Sequence, residues 1–304
     1  MSQISSLPAT DATAPVPTRR DFLAGMLAAP ALATLGRAAS AAPGWQIGCY
    51  TRPWADHEPR VALDAIAEAG YKYAGLMTAK GGTIVTAVAP PEKIAALAAD
   101  ARERGLRIAS IWGGDFLVPK SPADSVARLR KLVDYCVVCG CPSLLLGGTG
   151  RAELVDPYYN TVKECCDYAV AKGVVFAVKP HGGTNSTGPQ CRQLIEKVGH
   201  RNLRLWYDPG NIFYYSEGKL NPVDDAASVD GLVAGMSVKD WRAPKDVNVT
   251  PGTGQVDFPK VLARLKRGGF TGGPLIVECL ARGDLPFLAA EARRTRLFLE
   301  GLTR

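Results

Sequence analysis

Eight times between Gln46 and Cys279, a short apolar or β-branched run gives way to a helix-patterned stretch, and this alternation restricts the chain more than any other feature. The runs are QIGCY, KYAGLM, RIASIW, SLLLG, VVFAVK, LRLWYD, GMSVKD and PLIVEC. Between them lie helical stretches such as Pro59 to Gly70, Pro91 to Gly105 and Asp156 to Gly173, each closed by a glycine that serves as a helix stop. Strands this apolar need cover on both faces, which a parallel sheet wrapped in helices provides. Eight units within about 260 residues predict an α/β fold closed as a single (β/α)8 TIM barrel.

The longest stretches without periodicity follow predicted strand ends: residues 77–90, 113–121, 181–187, 211–221 and 241–256. All five are read as βα loops, which crowd at the C-terminal face of a barrel, where reactive groups collect. That face receives Lys179, Asp208, Ser237 and Glu278, each placed where a strand stops and a loop begins.

Residues 1–41 are read apart from the barrel. Arg19-Arg20 precedes a weakly apolar run from Leu23 to Leu35 and then Ala39-Ser40-Ala41, the order of a twin-arginine export signal with a cleavage site. An apolar run this short falls below the roughly 20 residues needed to span a bilayer, so no membrane span is expected. Removal of the signal leaves residues 42–304 as one barrel domain with a periplasmic or other extracytoplasmic address. The net charge of +7 is mild, and no dense basic block is present, which argues against a nucleic-acid partner.

Eight cysteines stand out for an exported chain, and Cys136, Cys139 and Cys141 form a CxxCxC. Cys136 and Cys139 end a helical pattern, Cys141 precedes an apolar strand, and Cys165 and Cys166 lie inside another helix. Buried free thiols are therefore expected in place of a metal knuckle, with a disulfide at Cys136 or Cys139 as the alternative.

YDPGN at Tyr207 to Asn211, SVKD at Ser237 to Asp240, PGTGQVDF at Pro251 to Phe258 and GGFTGGPLIVE at Gly268 to Glu278 occur in an order and spacing that resembles the sugar phosphate isomerase/epimerase superfamily, the xylose isomerase-like TIM barrels. The resemblance covers the whole chain beyond the leader. It implies a divalent metal (Mn, Mg or Zn) held by carboxylates from strands five and six, a histidine from strand seven and a glutamate from strand eight. Asp208 and Glu278 match two of these positions, while Lys179 and Ser237 replace the other two. A protonated lysine has no lone pair for a metal, and serine is a poor substitute for imidazole. The Lys179 ammonium between two carboxylates reproduces the charge of a dication among three, so it could steady an oxyanion in the metal's place. The other versions are a dication on Asp208, Glu278 and His181 with Lys179 turned away, and a plain structural ion pair.

Lys179, His181, Asp208 and Glu278 are the expected catalytic residues: Glu278 or Asp208 as base, Lys179 for the developing oxyanion, His181 as proton shuttle. Arg52, Trp112, Asn211, Lys239 and Asp240 are the expected contacts to a small carbohydrate, by ring stacking and by hydrogen bonds to hydroxyls. Trp206 and Tyr214 are read as core. His57 is a weaker candidate, and His200 falls at the opposite face. Two functions are carried forward: an exported isomerase, epimerase or lyase that removes a proton next to a carbonyl, and a non-catalytic carbohydrate-binding barrel. An endonuclease is disfavoured, since three scattered histidines cannot build a multi-metal centre. The sequence leaves homo-oligomer formation open.

Overall fold

Eight parallel strands follow one another around a closed cylinder in the computed structural model, which describes residues 44–304. They are β1 Trp45–Tyr50, β2 Tyr73–Leu76, β3 Arg107–Trp112, β4 Ser143–Leu146, β5 Val175–Val178, β6 Leu203–Tyr207, β7 Val233–Val238 and β8 Gly273–Val277. Each strand pairs with its neighbour in sequence, and β8 closes on β1 through five Cα partners from Trp45↔Gly273 to Cys49↔Val277. The predicted (β/α)8 barrel is therefore formed. The predicted export signal, residues 1–41, lies outside the described residues.

Helices α1 Pro59–Glu68, α2 Pro91–Glu103, α3 Pro122–Val138, α4 Val155–Ala171, α5 Gly188–Val198, α6 Pro209–Ser216, α7 Pro222–Asp225, α8 Phe258–Arg267 and α9 Leu285–Leu302 cover the barrel. Their starts have local causes. Thr187 and Gln190 form a reciprocal capping box on α5, and Gly199 ends that helix in the left-handed conformation. Two predicted loops contain regular structure. Residues 77–90 hold a short antiparallel hairpin, Thr78–Ala79 with Gly82–Thr83. Residues 211–216, also expected as loop, lie in α6, because Asp208 caps it through the Asn211 amide and Pro209 occupies its first turn.

The core is divided by the strands. Outside them a large apolar layer packs against the helices; inside sits a smaller cluster of Tyr50, Met77, Ala109, Leu145, Ala177, Trp206 and Ile276. Two rings fill much of the interior because glycines face them. A Cβ on Gly75 would lie 2.1 Å from the Tyr50 ring, and one on Gly235 2.3 Å from the Trp206 ring. All eight cysteines are free and buried, as the helix and strand patterns anticipated. Among the described residues no helix is long and apolar enough to cross a membrane.

Candidate active site

The two-residue period of a strand decides what reaches the barrel mouth. Ala177, Trp206 and Ile276 face the interior, so the residues two positions on, Lys179, Asp208 and Glu278, point inward from just past the ends of β5, β6 and β8. On β7, Ser237 faces inward against Trp206, and Lys239 follows at the same spacing. Four consecutive strand ends, counting β7, thereby converge on one ionic cluster.

Lys179 Nζ lies 2.6 Å from Asp208 Oδ2 and 2.7 Å from Glu278 Oε2. Lys239 Nζ lies 2.6 Å from Glu278 Oε1 and 3.3 Å from Asp208 Oδ2. All four side chains are at least 94 % buried, which makes each ammonium the necessary partner of the carboxylates. Lys239 also donates to Asn211 Oδ1 at 3.0 Å, and Asn211 donates to the Pro180 carbonyl at 2.6 Å. Ser237 donates to Glu278 Oε2 at 2.6 Å and accepts from the Trp206 indole at 3.1 Å. Asp208 Oδ2 has no aligned hydrogen bond, so its 2.6 Å contact with Lys179 is an ion pair without good donor geometry.

This arrangement changes the expected charge count. One ammonium between two carboxylates was anticipated, with Lys239 placed on a ligand; two ammonium groups are present, and the quartet is neutral. Burial alone would raise the Glu278 carboxyl, but Lys179, Lys239 and Arg52 outweigh it and hold the group well below the usual carboxylate range. Burial opposes the charge on Lys239 as well, and Asp208 and Glu278 reverse that and raise it. Both acids, expected as bases, are thus engaged as anchors for lysines. Lys179 makes one aligned hydrogen bond, to Glu278, and the residue borders the cavity above, so its ammonium retains N–H capacity for a ligand.

The donor set does not fit a divalent metal. The cationic nitrogens already lie within 2.6–3.3 Å of the carboxylate oxygens a metal would need, and the Ser237 hydroxyl donates to one of them. Among the described residues no group of three or more His, Cys, Asp or Glu side chains could hold a metal ion.

Above the quartet opens a cavity of about 290 Å³ bordered by Arg52, Trp112, Lys179, His181, Asn211, Lys239 and Glu278, and also by Met77, Thr78, Tyr214, Tyr215 and Val247. That is near the small end of the range for small-molecule sites, roughly 300 Å³ upward. Trp112 stands beside His181, ring centroids 5.1 Å apart, because Gly147 has no side chain; a Cβ there would lie 2.6 Å from the indole. The His181 loop is pinned by Asn185, whose amide donates to the carbonyls of Gly147 and Lys179 at 2.8 and 2.7 Å. Packed surroundings, then the Lys179 and Lys239 charges, push the His181 imidazole down to about 4, although the residue as a whole is exposed. Even part of that shift leaves the ring neutral at pH 7.

Not every expected contact reaches the cavity. Asp240 is fully buried, and its carboxylate accepts from the amides of Trp241, Gly252, Gly254 and Val256 at 2.8–3.0 Å. It organises the loop after β7 and does not border the ligand space. Tyr214, read as core, borders the cavity; Trp206 is core. Tyr215 escaped the sequence reading, yet the signal existed: on α6 it lies four residues after Asn211, on the same helix face. His200 hydrogen-bonds Asp167 near the start of β6, far from this mouth.

The profile of the xylose isomerase-like TIM barrel family matches residues 63–300. Among solved structures, a xylose isomerase domain protein from Planctomyces limnophilus is 22 % identical, with a TM-score of 0.67 over 86 % of this chain and 98 % of that one. D-psicose 3-epimerase crystallised with D-fructose is 12 % identical, with a TM-score of 0.68 over 85 % and 99 %. D-allulose 3-epimerase from Methylomonas sp. in complex with D-allulose is 18 % identical, with a TM-score of 0.66 over 87 % and 99 %. At these identities the likeness is one of fold. No curated protein matches the sequence.

Proposed function

Because the chain belongs to the xylose isomerase-like TIM barrel family, we propose that it is an isomerase- or epimerase-type enzyme that shifts a proton next to the carbonyl of a small carbohydrate. One observation carries the reading: a buried lysine ammonium, held between two carboxylates at 2.6 and 2.7 Å, borders a cavity of about 290 Å³. The structural likeness to D-psicose 3-epimerase and D-allulose 3-epimerase supports the substrate class.

In this reading Lys179 receives the carbonyl oxygen and stabilises it as negative charge develops, a task suited to a preorganised donor in a site of low polarity. The His181 ring borders the cavity, makes no hydrogen bond among the described residues and is neutral at pH 7, so it takes the proton from the neighbouring carbon. Asp208 and Glu278 hold Lys179 in place, and Lys239 helps keep Glu278 charged. Trp112 and Tyr215 supply faces for the sugar ring. Enediolate formation requires no further group: the carbon loses a proton to His181, and the electron pair moves to the oxygen beside Lys179.

Solvent exchange tests this directly. Incubation of the purified protein with a panel of ketohexoses and ketopentoses in D₂O should wash deuterium into the carbon next to the carbonyl. Lys179→Met and His181→Asn should each slow this at least a hundredfold. No exchange with any ketose, or full exchange in both variants, refutes the proposal. The second reading, a non-catalytic carbohydrate-binding barrel, is favoured by the same saturation of Glu278 that lowers its basicity. It predicts calorimetric binding of a sugar with no exchange over hours.

We also propose export by the twin-arginine route, on the strength of Arg19-Arg20, the apolar run after them and Ala39-Ser40-Ala41. Replacing both arginines by lysine should hold the protein in the cytoplasmic fraction; unchanged secretion refutes it.

A further inference from the structure

A second cavity of about 310 Å³ adjoins the first, and the two share Arg52 and Thr78 in their walls. Its character differs. Arg52, His57, Asn248 and Arg282 border it, and Asp56 is its single carboxylate. Arg52 is half-buried and its side-chain hydrogen bond is to the Cys279 sulfur; its charge is felt at Glu278, but it makes no salt bridge among the described residues. Arg282 is exposed at the rim and is likewise free of any ion pair among the described residues. Every strong cation of the inner quartet is matched by an acid, whereas the two guanidinium groups of this outer chamber face one exposed carboxylate. Two guanidinium groups without a salt bridge among the described residues, bordering one open space, supply the donors that an oxyanion takes, since a planar fork can bind it through two parallel hydrogen bonds.

Building on the carbohydrate reading above, we propose that the outer chamber is an anion subsite. The ligand would place its reacting carbons over Lys179 and a negatively charged group, carboxylate or phosphate, between Arg52 and Arg282. Arg52 bridges the chambers and fixes the distance between the two ends of the ligand; Arg282 and Asn248 complete the seat. The substrate class is thus an anionic sugar, and a neutral monosaccharide fills only the inner chamber.

Calorimetric titration of the wild-type protein with D-fructose, D-fructuronate and D-fructose 6-phosphate tests this. At least one anionic sugar should bind ten times or more tighter than fructose, and raising salt from 50 to 500 mM should narrow the difference. Comparison of fructuronate with fructose 6-phosphate identifies the preferred anion. Arg282→Gln should remove at least fivefold of the anionic preference and leave fructose affinity unchanged, which also shows that the variant is folded. Equal affinity for all three sugars, or an anionic preference untouched by Arg282→Gln, overturns the inference. Binding and exchange report separately: an Arg282-dependent preference without deuterium exchange sinks the catalytic reading alone, and exchange without the preference sinks the anion subsite alone.

Discussion

Replacing Lys179 by methionine removes one of two ammonium groups from a buried ionic cluster at the floor of the cavity, and the contacts set the cost. Two contacts at 2.6 and 2.7 Å are lost, leaving Asp208 and Glu278 with Lys239 as their remaining close ammonium. At an effective dielectric of about 20 the gross attraction of each lost contact is roughly 6 kcal/mol. Desolvation of the ammonium offsets most of it, and removing one partner of a buried pair costs a net of about 3–5 kcal/mol. Glu278 is held well below the usual carboxylate range, so its pairing stabilises the fold above the unfolded value of about 4.3 and is lost as pH falls through the folded value. In Lys179→Met that depression shrinks, a proton on Glu278 replaces the missing charge, and the deficit should narrow on acidification. Urea denaturation followed by tryptophan fluorescence should show a loss of about 3–5 kcal/mol at pH 7 and a gap at least ~1 kcal/mol smaller at pH 3. A loss under about 1 kcal/mol at pH 7, or the same gap at both pH values, would refute the view that this ammonium balances the acids.

An NMR titration of His181 should give a midpoint near 4, and any step requiring the neutral ring should persist from pH 7 to about 5; a midpoint at 6.5 or above contradicts the placement of two ammonium groups beside it. Because the folded value lies below the unfolded one, this residue costs stability as pH falls from about 6.5 to 4. Asp240→Ala leaves four amides without their acceptor and should cost about 3 kcal/mol, with protease cleavage appearing between Trp241 and Val256 while α1 to α5 stay protected; unchanged protease resistance would show that the loop holds itself. Gly235→Ala pushes a methyl group to 2.3 Å from the Trp206 ring and should destabilise by about 1–3 kcal/mol, with a shifted tryptophan emission; a neutral result would mean the indole has room to move.

The barrel was legible because its strands are apolar on both faces and its helices end in glycine, signals that need no tertiary context. The position of Lys179 beside Asp208 and Glu278 was equally legible, since a period of two carries inward direction past each strand end. Lys239 was placed at the mouth but assigned to a ligand; its engagement with the acids depends on how far the Glu278 side chain reaches across the barrel, which no local pattern encodes. The segment after Asp208 looked like a loop because its Pro-Gly-Asn start reads as a turn and hides a helix set by one capping carboxylate. Asp240 illustrates the opposite difficulty: an acid at a strand end can serve the backbone of its own loop, and only the folded loop shows which amides claim it.

The seam between β1 and β8 has a consequence for how the molecule is assembled. Glu278 arrives on the strand that shuts the cylinder, so a growing chain holds two lysines against a single acid until its eighth unit docks. Closure therefore delivers, in one event, both the missing register and the missing negative charge, and a partly built cylinder lacks the electrostatic balance of the finished one.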